Sequence, residues 1–346
     1  MAHPATTILS CMACSATKPL FTFADLFAGV GGMRLAFESA GGECVLTSEI
    51  DQKARKTYAA NWPEDVESCS HISIDDVVQL GNLSAKKIPS HDVLVAGFPC
   101  QPYSIAGLRQ GLGDEKGRGQ VFLSILDILK KSKPQAFLLE NVKGMLSHDG
   151  GKTIAYMIQE LKKRGYQVVD PQILNSMTHG GVPQNRERVF LIGFRNDIDV
   201  TAFKWPAPIK MKKNLHELLA EDVDKKYFYD DRFECFAEIE RQVTRTDTAY
   251  QWRRVYVREN KSGVCPALTA NMGAGGHNVP LVKVVRGIRK LTPRECAKLQ
   301  GFPNSFVFPV GMADANLYHQ FGNSVTVPLI TRIAEQIVKV LLDTTR

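Results

Sequence analysis

A chain of 346 residues with 44% hydrophobic and 23% charged content has room for one large domain and a smaller one, and is neither a disordered nor a fibrous polymer. No apolar run approaches the ~20 residues of a membrane helix, and the start lacks the basic-then-apolar order of a secretory signal. A cytoplasmic protein is expected. The net charge of +7 is concentrated: between Arg241 and Lys290 ten Lys/Arg stand against two acids, with Tyr250, Trp252 and Tyr256 among them. That composition suits a phosphate backbone.

In chain order, residues 1–20 read as a tail. The pair Cys11 and Cys14 has no second pair to complete a zinc site, and no metal is expected. Strands are predicted over Thr22–Phe27, Cys44–Glu49, Asp92–Phe98, Ala136–Glu140, Gln167–Leu174 and Arg188–Phe194. Helices are predicted over Met33–Ala40, Gln52–Asn61, Gln120–Lys131 and Thr153–Arg164. This alternation predicts an α/β fold, a Rossmann-like, mostly parallel sheet with helices on both faces. The rhythm is lost over 196–290, expected to be a smaller irregular domain. Order returns at 291-LTPRECAKLQGFP-303, where Thr292, Pro293 and Glu295 form a helix-start signature. Residues 291–314 are expected to form a hinge, and 315–346 to complete the first domain with a helix over Val327–Leu342.

Ligands of such sheets sit at the carboxyl ends of the strands, where 25-DLFAGVGG-32, Glu49, Cys100 and Glu140 fall. The glycines allow close backbone approach to a ligand, and Glu49 is placed to accept ribose hydroxyls. A nicotinamide oxidoreductase shares these two features, but Arg34 stands where its third glycine belongs. Cys100, between two prolines in 97-GFPCQPYS-104, leaves a core strand as an exposed nucleophile would. Arg186 and Arg188 share a face by period two and supply cations beside Glu140. The glycine-rich loop 107–120 suits a lid.

The ordered motifs DLFAGVGG, GFPCQPYS, ENVKG, QNRERVFLIG, LTPRECAKLQGFP and FGNSVTVPL resemble those of the bacterial-type DNA (cytosine-5-)-methyltransferases of restriction–modification systems. The resemblance implies S-adenosylmethionine as cofactor, double-stranded DNA as partner and a monomer, with a cognate restriction endonuclease acting separately. It implies Cys100 as nucleophile, Glu140 as proton donor to the base, and Arg188 and Arg186 as its clamp and brace. Cofactor contacts fall on Asp25, Phe27, Gly29, Gly31, Gly32, Glu49, Ile50, Pro99, Asn323 and Ser324. DNA contacts fall on Gln101, Ser104, Gln251, Arg253, Arg254 and Thr269, with Gln251 filling the space of a flipped-out base and 196–290 as the target-recognition domain. The stretch 251–278 is similar to those of relatives reading CC…GG-type sites. Where the family carries an Asp for the adenine amine, this chain offers His71, Asp75 and Asp76, and the contact stays unassigned. RNA cytosine methylation on the same fold is the nearest alternative, and a DNA-binding module without catalysis the third.

Overall fold

The computed structural model describes residues 18–66, 72–74, 76–99, 118–260, 263–273 and 278–344. Cys100, Gln101, Ser104, His71, Asp75, Cys11, Cys14 and the loop 101–117 lie outside them.

Strand β1 (Phe21–Leu26) leads through a glycine loop into α1 (Gly32–Ser39), then β2 (Gly42–Ser48), α2 (Gln52–Ala59), β3 (Ile72–Ile74), α3 (Val77–Asn82), β4 (Val93–Gly97), α4 (Arg118–Ser132), β5 (Ala136–Val142) and α5 (Lys152–Lys163). β1 to β5 are parallel, in the order β3-β2-β1-β4-β5. The chain therefore runs one way from β1 and later resumes on its other side, leaving a crevice between the ends of β1 and β4, where such sheets bind ligands.

Apolar side chains alternate across β1. Phe21 and Phe23 face one core with Phe37 of α1, while Ala24 and Leu26 face a second with Leu126 and Leu129 of α4. Burial on both faces explains why these strands are apolar runs rather than alternating ones.

The predicted strand over Gln167–Leu174 is two strands, β6 (Tyr166–Val168) and β7 (Gln172–Asn175), with Pro171 between them. A proline lacks the N–H a ladder needs. After α6 (Ser176–Gly180) and β8 (Gln184–Asn185), strand β9 (Glu187–Arg195) lies antiparallel to β5, β6 and β7. That reversal matters for the site, because it brings the start of β9, not its end, to the mouth where the parallel strands finish.

Beyond β9, Ile198, Leu215, Leu218 and Tyr227 join the first core. Helix α7 (Phe236–Gln242) precedes β10 (Tyr250–Trp252), β11 (Val257–Glu259), β12 (Cys265–Pro266), β13 (Pro280–Val284) and β14 (Gly287–Lys290). Four of these form an antiparallel sheet, β11-β10-β13-β14, over a small core of Ile239, Tyr250, Val257, Leu281 and Ile288. β12 instead pairs with β8 in a separate two-stranded sheet, which ties the region to the segment just ahead of β9.

Helix α8 (Pro293–Leu299) starts with the predicted capping box, Thr292 and Glu295 bonding reciprocally. Within the predicted hinge, Glu295 also holds the buried Arg289 at 2.7 Å. Helices α9 (Asp314–Asn323) and α10 (Val327–Thr344) follow, and Ile330, Ile333, Ala334 and Ile337 of α10 enter the first core. No helix among the described residues is long and apolar enough to cross a membrane.

Candidate active site

A cavity of about 460 Å³ opens at the crevice, a size suited to a small-molecule ligand. The loop after β1 (Phe27, Gly29, Gly32), the end of β2 (Glu49, Ile50) and the end of β4 (Gly97, Phe98, Pro99) form one side. Glu140, Arg186, Arg188, the segment Leu268–Ala270 and the end of α9 (His319, Asn323, Ser324) form the other.

Glu49 organises the first side. Its two carboxylate oxygens accept the backbone N–H groups of Gly29 at 2.8 Å and Asp51 at 2.7 Å. A carboxylate has about four acceptor positions, so half remain for a ligand. Burial raises the pKa of Glu49, and the two N–H groups offset part of that. Phe27 adopts a φ of 59°, a left-handed conformation that a bulky side chain enters only when its surroundings hold it there. Ile50 is 68% exposed, an uncovered apolar surface at a cavity mouth.

Asp25 and Gly31 do not reach the cavity, contrary to the expectation for them. The strand alternation turns Asp25 into the core beneath the loop, fully buried, with neither oxygen completing a hydrogen bond among the described residues. Burial pushes its pKa up to about 8, the Arg34 charge pulling partly against it. A Cβ on Gly31, at φ 84°, would overlap the Trp62 ring. That ring rests on the loop from behind.

Arg34 explains the missing third glycine. Its guanidinium lies 4.6 Å from the Trp62 ring centre, bonds Tyr58 Oη at 2.9 Å, and pairs with Asp65 and Glu38. Burial opposes its charge most strongly, but the Asp65 hydrogen bond and the neighbouring acidic groups, Glu38 among them, together outweigh it and hold the pKa above the usual arginine range. Arg34→Ala is expected to cost about 3 kcal/mol, the lower end for breaking a buried pair because Glu38 is 32% exposed. Urea unfolding midpoints of the two proteins would measure it.

On the second side, Val142 stands opposite Arg188 and Glu140 opposite Phe190 in the antiparallel register. Glu140 and Arg188 are thus diagonal neighbours on one face, and Arg188 Nε lies 3.0 Å from Glu140 Oε1. Arg186, just ahead of β9, is buried and turned elsewhere. Its Nη1 donates to Leu268 O at 2.6 Å, and its Nη2 to Ser324 O at 2.7 Å and Gly322 O at 3.2 Å. Burial pushes its pKa down to about 9, and the Arg188 charge adds to this, which leaves it charged at neutral pH. Arg186 fastens three chain segments behind the cavity.

Thr269, expected at the DNA, lines the cavity wall and donates to Asn271 at 2.7 Å. Gln251, on β10 between β11 and β13, is only 5% exposed. Its side chain is not free to fill a gap in a duplex. The exposed part of that hairpin is its turn, with Val255 at 80% and Tyr256 at 53%, beside Arg253 and Arg254. Asp76 caps α3 through Val78 N at 2.8 Å and is absent from the cavity wall. His319 is on that wall and carried no motif signal. Its one sequence cue is the four-residue spacing to Asn323 on a helix. Among the described residues no cluster of His, Cys, Asp or Glu is placed to hold a metal.

The sequence profile of the C-5 cytosine-specific DNA methylases matches residues 21–339. The chain is 44% identical to the type II methyltransferase M.Bsp6I of Bacillus sp. (strain RFL6), over 93% of this chain and 100% of that protein. It is 40% identical to the type II methyltransferase M.DsaV of Dactylococcopsis salina, over 93% of this chain and 87% of the other. Among solved structures, the S. pombe Dnmt2 methyltransferase superposes with a TM-score of 0.67 at 19% identity, covering 93% of this chain and 98% of that one, a likeness of fold.

Proposed function

The chain belongs to the C-5 cytosine-specific DNA methylase family, and on that premise we propose that it methylates C5 of a flipped-out cytosine in a short duplex site, using S-adenosylmethionine and Cys100. The observation that carries the reading is the Glu140–Arg188 pair, 3.0 Å apart, on the wall of a cavity whose other side offers Glu49 and a glycine loop.

The residues present fit S-adenosylmethionine. Glu49 keeps acceptor capacity for a ribose diol, Phe27 and the exposed Ile50 offer apolar surface to a base, and Gly29 and Gly32 leave room for close approach. Asn323 and Ser324 supply polar groups from the opposite wall. When bound, this cofactor supplies a methyl group made electrophilic by its sulfonium.

Cytosine C5 is a weak nucleophile within an aromatic ring. The Cys100 thiolate adds to C6 and breaks the aromaticity, and Glu140 protonates N3 to take up the charge created. Arg188 holds the O2 oxygen, and Arg186 keeps the wall in place. The electron-rich C5 then accepts the methyl group. Loss of the C5 proton to a base, departure of the Cys100 thiolate and return of the N3 proton to Glu140 restore the ring. The base must leave the helix first, at a cost of a few kcal/mol. The residues 196–290, basic from Arg241 onward, form the recognition unit, with Arg253, Arg254, Val255 and Tyr256 at the duplex. Every proposed catalytic group comes from one chain, as a monomer requires, and the enzyme acts in the cytoplasm beside a separate restriction endonuclease.

Purified protein with methyl-labelled S-adenosylmethionine is expected to label duplex DNA and not tRNA. Bisulfite sequencing of host DNA expressing it is expected to show a short CC…GG-type site. Label entering only the tRNA would overturn the DNA assignment.

A further inference from the structure

His319 stands on α9 one turn before Asn323, and both side chains line the cavity. Its Nδ1 lies 2.9 Å from the carbonyl oxygen of Ala270. A carbonyl only accepts, so Nδ1 carries the proton. In the neutral ring Nε2 is then an acceptor, and Asn323 Nδ2 donates to it across 3.0 Å. The Asn323 amide is thereby oriented, with its nitrogen engaged and its oxygen left for a ligand.

The same stretch of α9 seats the segment that His319 holds. A Cβ on Gly322 would overlap the Thr269–Ala270 peptide, and one on Gly273 would overlap the Tyr318 ring. Arg186 binds the carbonyls of Leu268 on one segment and of Gly322 and Ser324 on the other. The start of the Gly-rich stretch and the cofactor-side wall are thus two surfaces of one joint. Among the described residues, His319 is the fastening that bonds a cavity-facing side chain with one ring nitrogen and the recognition segment with the other.

We infer that His319 couples the two ligands: a nucleoside cofactor that orders Asn323 also orders Ala270 and, through it, the proposed recognition unit 196–290 to which Ala270 belongs, and DNA binding does the reverse. This rests on the function proposed above, and makes His319 a positioning residue. Such coupling is reciprocal and spans about 5- to 150-fold in affinity.

The test is calorimetric titration of S-adenosylhomocysteine into the full chain, alone and with a saturating duplex carrying the site that bisulfite sequencing identifies. In the wild-type protein the duplex is expected to tighten binding about 10-fold. In His319→Ala the factor, taken as the ratio of that variant's own two affinities, is expected to fall below about 2-fold whatever its affinity for the cofactor analogue alone. His319→Gln can donate its amide N–H to the Ala270 carbonyl and accept from Asn323 Nδ2 at its amide oxygen, and is expected to recover most of the coupling, which a purely packing role would not predict. The inference is overturned if His319→Ala keeps the wild-type factor, if His319→Gln is as uncoupled as alanine, or if the wild-type protein binds both ligands without coupling. Failure of the wild-type protein to bind S-adenosylhomocysteine at all would instead overturn the proposed function.

Discussion

Replacing Cys100 with alanine is expected to bring methyl transfer below detection while duplex binding and S-adenosylhomocysteine binding stay within about threefold. The asymmetry follows from the chemistry. Without the sulfur no covalent bond forms at C6, so C5 never acquires the electron density to attack a methyl group, and no neighbouring group substitutes for a missing nucleophile. Binding, by contrast, draws on the cavity wall and the basic region between Arg241 and Lys290, which the substitution leaves intact. A trapping assay with a duplex containing 5-fluorocytosine separates the two. The wild-type protein, given the cofactor, should form a denaturation-resistant adduct, and the variant none. A variant that still methylated would remove Cys100 from the mechanism.

Glu140→Gln is expected to lower kcat by about 10²- to 10⁴-fold, the usual contribution of a positioned proton donor, with little change in the dissociation constant for S-adenosylhomocysteine. Glutamine keeps the shape of the side chain and an oxygen for Arg188 Nε, now 3.0 Å from Glu140 Oε1, so folding should be only modestly affected. What it lacks is the proton for N3 and the negative charge facing Arg188 and the buried Arg186. Single-turnover kinetics with tritium release from C5 of cytosine would report the loss directly. A kcat within tenfold of wild type would assign the pair a structural role.

The crevice was legible in the sequence, because β1, β2, β4 and β5 are short apolar runs and the polar residues fall where those runs end, whereas the three-residue β3 was not expected. Period-two burial on two faces and the glycine loop are local properties, which neighbouring residues encode. The capping box at Thr292 and Glu295 was readable for the same reason: all its bonds lie within four residues.

Side-chain direction at special positions was less accessible. Asp25 and Gly31 belong to the loop motif, yet one faces the core and the other faces Trp62. Arg34 found its partners in Tyr58, Trp62 and Asp65, more than twenty residues away. Gln251 sits next to an exposed hairpin turn, but it is itself buried.

By itself the sequence determined the apolar strands, their order, and the polar residues such as Glu49 and Glu140 at their ends, since composition and periodicity are written residue by residue. Only the tertiary structure decided that β9 runs antiparallel and so sets Arg188 beside Glu140, that Arg186 clamps carbonyls rather than facing the cavity alone, and that His319 reaches Ala270. Strand direction and contacts over tens of residues depend on which distant segments pack together. No local pattern carries that information, because the same alternation of apolar residues is buried equally well in either direction.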